Sequence, residues 1–211
     1  MKKSFFVILI LINCNVFSQQ RNKGDVELTT KIGYSSANYY SEENLSNKPI
    51  SGVNFGLETD YFFNNRWSLH SGLLYQRMGS KLGSEYKEKL GYLTVPINAN
   101  WHFGSTRKWY LNFGPSVGFL MSAKAEYKGN NFNSFDPIVY GEEQEVNIKS
   151  LANKVQLGLN YGIGYKIFIN EKFSISVDYQ GMTGLSNVPK ESQYSIKNTY
   201  ASFNVGGVFN L

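Results

Sequence analysis

Few side chains in this chain have types and spacings suited to chemistry. Its 211 residues include two histidines, one cysteine and 16 acidic residues. Cys14 alone can build neither a disulfide framework nor a cysteine-based zinc site. His70 and His102 share strand parity with Glu58 and Asp60, which makes a metal or proton-relay role conceivable. The favoured alternative is a histidine held by hydrogen bonds among polar neighbours. A second group lies between residues 124 and 152, where Tyr127, Phe132, Phe135 and Tyr140 precede the acids Glu142, Glu143 and Glu145. Exposed aromatics beside acids suit a protein, a glycan or a calcium ion; a solvated loop folded back on its scaffold is the plainer reading. A weaker version of the same pattern is Tyr39, Tyr40, Glu42 and Glu43.

Composition decides what kind of scaffold positions these groups. Charged residues are 18% and aromatics 16%, with 20 glycines. That excludes a disordered tail and a charged helical bundle, and favours pleated strands. The formal charge of +5 is scattered along the chain without forming a basic stripe, so nucleic acid is not expected as a partner. The length suits one domain.

The N-terminus reads as an export signal. Lys2 and Lys3 precede the eight apolar residues Phe5 to Ile12, and Val16-Phe17-Ser18 is a plausible cleavage site. Eight residues are too few to cross a bilayer as a helix, which takes about 20. A lipoprotein signal would place a small residue before its cysteine, whereas Asn13 stands before Cys14. The expected organisation is a signal peptide over 1–18 and one barrel domain over 19–211. Cleavage after Ser18 leaves no cysteine, which excludes a thiol enzyme.

Beyond Gln20, period-two alternation predicts eight strands, roughly 25–35, 51–63, 66–77, 90–103, 108–123, 153–169, 172–183 and 198–211. Tight turns are expected around Asn64-Asn65, Gly104 to Arg107 and Asn170-Glu171. The intervening connections, 36–50, 78–89, 124–152 and 184–197, are long and polar. Short turns at one end and long loops at the other predict an all-β, eight-stranded antiparallel up-and-down transmembrane barrel.

One face of these strands carries no charge. It runs through residues such as Ile32, Phe55, Leu57, Leu73, Ile97, Phe113, Tyr161, Val177 and Phe203. The other face carries Glu27, Lys31, Glu58, Asp60, His70, Lys166 and Asp178, with Asn54, Asn98, Asn100, Asn112, Asn160 and Asn204 and many glycines. Alternation alone does not say which face is inside, and a soluble lipocalin-like carrier would put the apolar one inward. The glycine-rich polar face suits a narrow lumen. Tyr61, Phe63, Trp67, Trp101, Phe103, Trp109, Phe173 and Phe209 gather near the short turns like an interfacial girdle. The reading is therefore a lipid-facing barrel with a plugged, ion-paired polar lumen, too narrow for a general porin.

The C-terminal stretch Asn204-Val205-Gly206-Gly207-Val208-Phe209-Asn210-Leu211 resembles the signal that delivers such barrels to their insertion machinery. Its elements are Asn204, Gly206, Phe209 at the third-last position and terminal Leu211, where an aromatic is usual. Tyr92-Leu93-Thr94-Val95-Pro96-Ile97 and Phe113-Gly114-Pro115-Ser116-Val117-Gly118-Phe119 resemble the small Bacteroidetes outer-membrane β-barrel family called PorT-like. That resemblance implies the fold and the cell outer membrane, without the secretion role of the member that lends the name. Proline removes a ladder donor, so bulges are expected at Pro96 and Pro115.

Two barrel enzymes bear on catalysis. Lipid A deacylases place His and Ser two apart on one face beside a Glu, whereas His70 and Ser71 are adjacent and point oppositely. Omptin-like proteases need His and Asp at the outer rim, and neither histidine falls there. The expected function is non-enzymatic, with no cofactor, no catalytic residue and no metal. Expected partners are outer-membrane lipid, the barrel-insertion machinery and an envelope or extracellular protein or glycan. The role would be surface interaction, envelope integrity or a secretion assembly. The alternatives are an outer-rim enzyme using loop carboxylates and the soluble carrier.

Overall fold

The computed structural model describes residues 21–42, 47–83, 85–128 and 143–211. Its strands are β1 (Val26–Ser41), β2 (Asn47–Phe62), β3 (Trp67–Leu82), β4 (Tyr86–Phe103), β5 (Trp109–Lys128), β6 (Glu143–Asn147), β7 (Val155–Phe168), β8 (Phe173–Gly184) and β9 (Ile196–Asn210). Their order is β4-β3-β2-β1-β9-β8-β7-β5, and β4 pairs with β5 to close the ring. All pairings are antiparallel, and β6 adds only to the outer end of β5. Closure satisfies backbone groups that an open sheet edge would leave bare.

The three short turns fall where turn chemistry places them. Asn64 Oδ1 accepts from the backbone N–H groups of Arg66 and Trp67 at 2.8 and 3.0 Å. Asn170 Oδ1 does the same for Lys172 and Phe173 at 3.0 and 2.9 Å. Gly104 supplies a positive φ of 81° in the turn between β4 and β5. At the other end the strands run further than the alternating apolar pattern suggests. β1 continues to Ser41, β3 to Leu82 and β5 to Lys128, so the connections are shorter than 36–50, 78–89 and 124–152. Ladder hydrogen bonds continue past the apolar band, where the outward face no longer has to be apolar.

The uncharged face points outward: Ile32, Phe113 and Phe203 are 61, 60 and 69% exposed. This excludes the lipocalin-like carrier, whose apolar face would be inward. A row of rings encircles the short-turn end, with Trp67 on Trp101, Trp101 on Phe103 and Trp109 on Tyr165 at centroid distances of 6.2, 5.2 and 4.9 Å.

The proline expectation is corrected. The β4–β5 register runs unshifted from Pro96↔Ser116 to Ala99↔Phe113, and Pro115 pairs with Leu159 without a shift. Each missing donor interrupts a ladder locally but inserts no residue, and a bulge requires an insertion. The Ser71 hydroxyl donates to the Pro96 carbonyl at 2.7 Å, holding β3 to β4 there. Shifts occur instead between Pro49 and Phe55 in β2 and at Gly91/Tyr92, where Ser122 and Leu120 are the partners and Met121 is the extra residue on β5. That insertion reverses parity. Below it Tyr110, Asn112 and Ser116 face inward; beyond it Ala123 and Ala125 do, while Lys124 is exposed.

Arginine in place of Leu57, on the middle of the apolar band, is expected to cost about 2–4 kcal/mol in urea unfolding from lipid vesicles. At Tyr40, on the outer end of β1, the same change is expected to cost under about 1 kcal/mol.

Candidate functional site

The inner half of the lumen collects the charges. Neighbouring strands bring like charges together, since the register sets Glu27 of β1 directly beside Asp60 of β2. Two buried carboxylates so placed need a shared cation. Lys166 supplies it from β7, ion-pairing with Glu27 and lying 3.4 Å from Asp60 Oδ2. Arg21, just before β1, places Nε 2.6 Å from Glu27 Oε1 and lies 4.9 Å above the Phe62 ring. Lys31 forms a second centre, with Nζ 2.5 Å from Glu58 Oε2 and 3.1 Å from Asp178 Oδ2. Its ladder partners are Gly56 and Gly206.

His70 joins the two centres. Its Nε2 lies 3.2 Å from Glu58 Oε1 and its Nδ1 3.2 Å from Asp60 Oδ1. Both nitrogens face carboxylate oxygens, which two N–H donors satisfy. Asp60 also accepts from Ser68 Oγ and Asn100 Nδ2, both at 2.9 Å. Asp178 accepts from Asn204 Nδ2 at 2.6 Å and from the Tyr110 hydroxyl at 3.1 Å. Asn54 donates onward to Asn204 Oδ1 at 2.7 Å. Four carboxylates thus meet Arg21, Lys31, Lys166 and His70, and all eight groups are buried. A void of about 20 Å³ beside Lys31, Glu58 and His70 is of single-water size.

His102 lies apart from this junction. Its Nε2 is 3.3 Å from Ser68 Oγ, and its ring packs 5.0 and 5.9 Å from those of Phe62 and Tyr110. Arg21 carried no signal in sequence, because it precedes the first alternating segment. Tyr110 was legible as the inward neighbour of Trp109 and Leu111.

The loop candidates that fall among the described residues lie on the paired ends of β5 and β6. Tyr127 sits at the end of β5 with its ring 4.9 Å from that of Tyr86, and Glu145 belongs to β6, where it ion-pairs with Lys124. Glu143 begins β6, while Phe132, Phe135, Tyr140 and Glu142 lie outside the described residues. Of the C-terminal residues, Asn204 and Gly206 face the lumen, Phe209 packs on Phe173 at 5.2 Å, and Leu211 is exposed with its N–H donating to Val26 O at 3.0 Å.

A model of the outer membrane protein beta-barrel domain matches residues 17–190, most of the chain. The chain belongs to that family. It is an integral outer-membrane barrel, the setting that its exposed apolar band and aromatic girdle require. No curated protein matches it significantly. Among solved structures, the barrel is similar to the attachment invasion locus protein Ail of Yersinia pestis at 16% identity and TM-score 0.44, over 89% of this chain and 99% of that one. The Neisserial surface protein A is 12% identical with TM-score 0.47, over 85 and 95%. OprG of Pseudomonas aeruginosa is 14% identical with TM-score 0.45, over 90 and 97%.

Lys31→Met in this outer-membrane barrel leaves Glu58 and Asp178 short of a cation. It is expected to cost about 3–5 kcal/mol in urea unfolding from vesicles. Adding Glu58→Gln and Asp178→Asn is expected to restore most of that loss, because no buried charge then lacks a partner.

Proposed function

We propose that this outer-membrane barrel is a non-enzymatic, plugged scaffold that displays its long connections for contact at the cell surface, in envelope integrity or in a secretion assembly. The observation that carries this reading is the lumen junction, in which Lys166 spans from β7 to carboxylates on β1 and β2. Side chains bonded across the axis leave a solute no continuous path, and eight strands enclose little more than their own side chains. Two of the outer-rim carboxylates also support a non-catalytic role, since Glu126 and Glu145 are engaged by Lys89 and Lys124.

Within this proposal, residues 1–18 are a signal peptide removed after Ser18, and Asn204, Gly206, Phe209 and Leu211 address the chain to the insertion machinery. The strand stretches 92–97 and 113–119 support a place in the PorT-like branch. An extracellular or envelope protein or glycan would meet Tyr127, Phe132, Phe135, Tyr140, Glu142, Glu143 and Glu145.

Two measurements test the proposal. In planar bilayers the purified barrel is expected to show no steady porin-type conductance; sustained open channels would refute the plug. Alanine at the seven connection residues is expected to abolish adhesion of whole cells to protein- or glycan-coated surfaces. The shift in gel mobility between boiled and unboiled samples should remain, and unchanged adhesion would refute the assignment of contact to this segment.

A further inference from the structure

Above the charged junction the interior changes character. Ala37, Ile50, Met78, Leu90, Tyr92, Leu120 and Ala125 line it, all buried. Two connections fold inward over this end. The Ile148 N–H donates to Ala123 O at 3.0 Å, and residues 151–153 bond to 188–190 through Asn153 N–H to Val188 O and Lys190 N–H to Leu151 O, at 2.8 and 2.9 Å. Ile148, Ala152 and Val188 are buried beneath them. The connections do not fill the space, and a cavity of about 330 Å³ remains at the mouth. That lies within the usual range for small-molecule sites.

The cavity wall is apolar and aromatic except at one place. Tyr39, Tyr86 and Tyr127 line it together with Ile148 and Val188, and among the described lining residues Glu88 is the one that carries a charge at neutral pH. Tyr39 Oη donates to Glu88 Oε2, and Tyr86 Oη donates to Oε1 at 2.5 Å. Glu88 is flanked in the ladders by Ser80 and Ala125, both small. Among the described residues no lysine or arginine ion-pairs with Glu88. Lys87 and Lys89, its neighbours on β4, engage Glu126 instead. Each Glu88 oxygen keeps acceptor capacity beyond its one tyrosine bond.

We propose that this mouth cavity binds a small organic cation, an ammonium group on a compact hydrocarbon body. Its charge pairs with Glu88 among the tyrosine rings, and its body lies on Ile148 and Val188. A carboxylate in an apolar wall gains from a cation that enters with it, and phenol rings stabilise ammonium groups further. The site shares Tyr127 with the surface contacts proposed above, but it rests on Glu88 and does not depend on the plug beneath it.

The test is calorimetric titration of the full-length barrel in lipid nanodiscs with 4-phenylbutylamine and 4-phenylbutanol, against empty nanodiscs. The amine is expected to bind at least ten-fold more tightly than the alcohol. Glu88→Gln is expected to lower amine affinity at least ten-fold while leaving the alcohol unchanged. Leu151→Trp, at an exposed residue of the covering connection, is expected to weaken both by filling the mouth, and it serves as the test if Glu88→Gln does not fold. No amine binding to the unsubstituted protein, equal affinities for the two probes, or unchanged amine affinity in a folded variant would overturn the proposal.

Discussion

Hydrocarbon offers no hydrogen bonds, so every backbone N–H and C=O at bilayer depth has to be satisfied within the protein. For a chain of alternating strands the solution is closure, here through the pairing of β4 with β5 and of β1 with β9. Closure has a second consequence. Apolar residues that would fill the core of a soluble protein go outward to meet lipid, and polar residues are forced into a space a few side chains wide. Those inward groups bond largely to one another, and the register that closes the sheet also decides which of them meet.

The pairing of Glu27 with Asp60 shows how tightly backbone and chemistry are coupled. The ladder puts two carboxylates side by side, an arrangement that is costly alone, and Lys166 on the far wall makes it tolerable. Lys31 performs the same service for Glu58 and Asp178, and His70 ties the two centres together. Glycine is part of the same close-packed solution, since a Cβ at position 56 would collide with Leu73 O and one at position 206 would lie 2.6 Å from Ser176 Oγ. Such a junction is demanding rather than simply stabilising, because each member depends on the others to offset its own desolvation.

The interior is also divided along its axis. Ion pairs and amides fill the half near the short turns, whereas alanine, aliphatic and tyrosine side chains line the half near the long connections. The division depends on one inserted residue, Met121. Without it Lys124 and Glu126 would point into the lumen and Ala123 and Ala125 toward the outside. With it the charges turn outward, where Lys89 engages Glu126, and Tyr127 joins the mouth with Glu88 and Tyr86. One bulge thus separates a chamber whose described lining holds one carboxylate, Glu88, from the charged layer beneath it.

Much of this architecture was legible in one dimension. Strand number, turn positions at Asn64 and Asn170, the uncharged lipid face and the set of inward charges all follow from a period of two, because strand geometry sends alternate residues to opposite faces. The same regularity misplaced the prolines, since it cannot separate a lost donor from an inserted residue. It also ended the strands early, because only the apolar band has a compositional signature. What tertiary structure alone decided was which inward groups meet across the axis, where parity reverses, and which connections fold into the mouth. Those outcomes depend on ring closure and register between segments far apart in the chain, whereas alternation is a local property that every register shares.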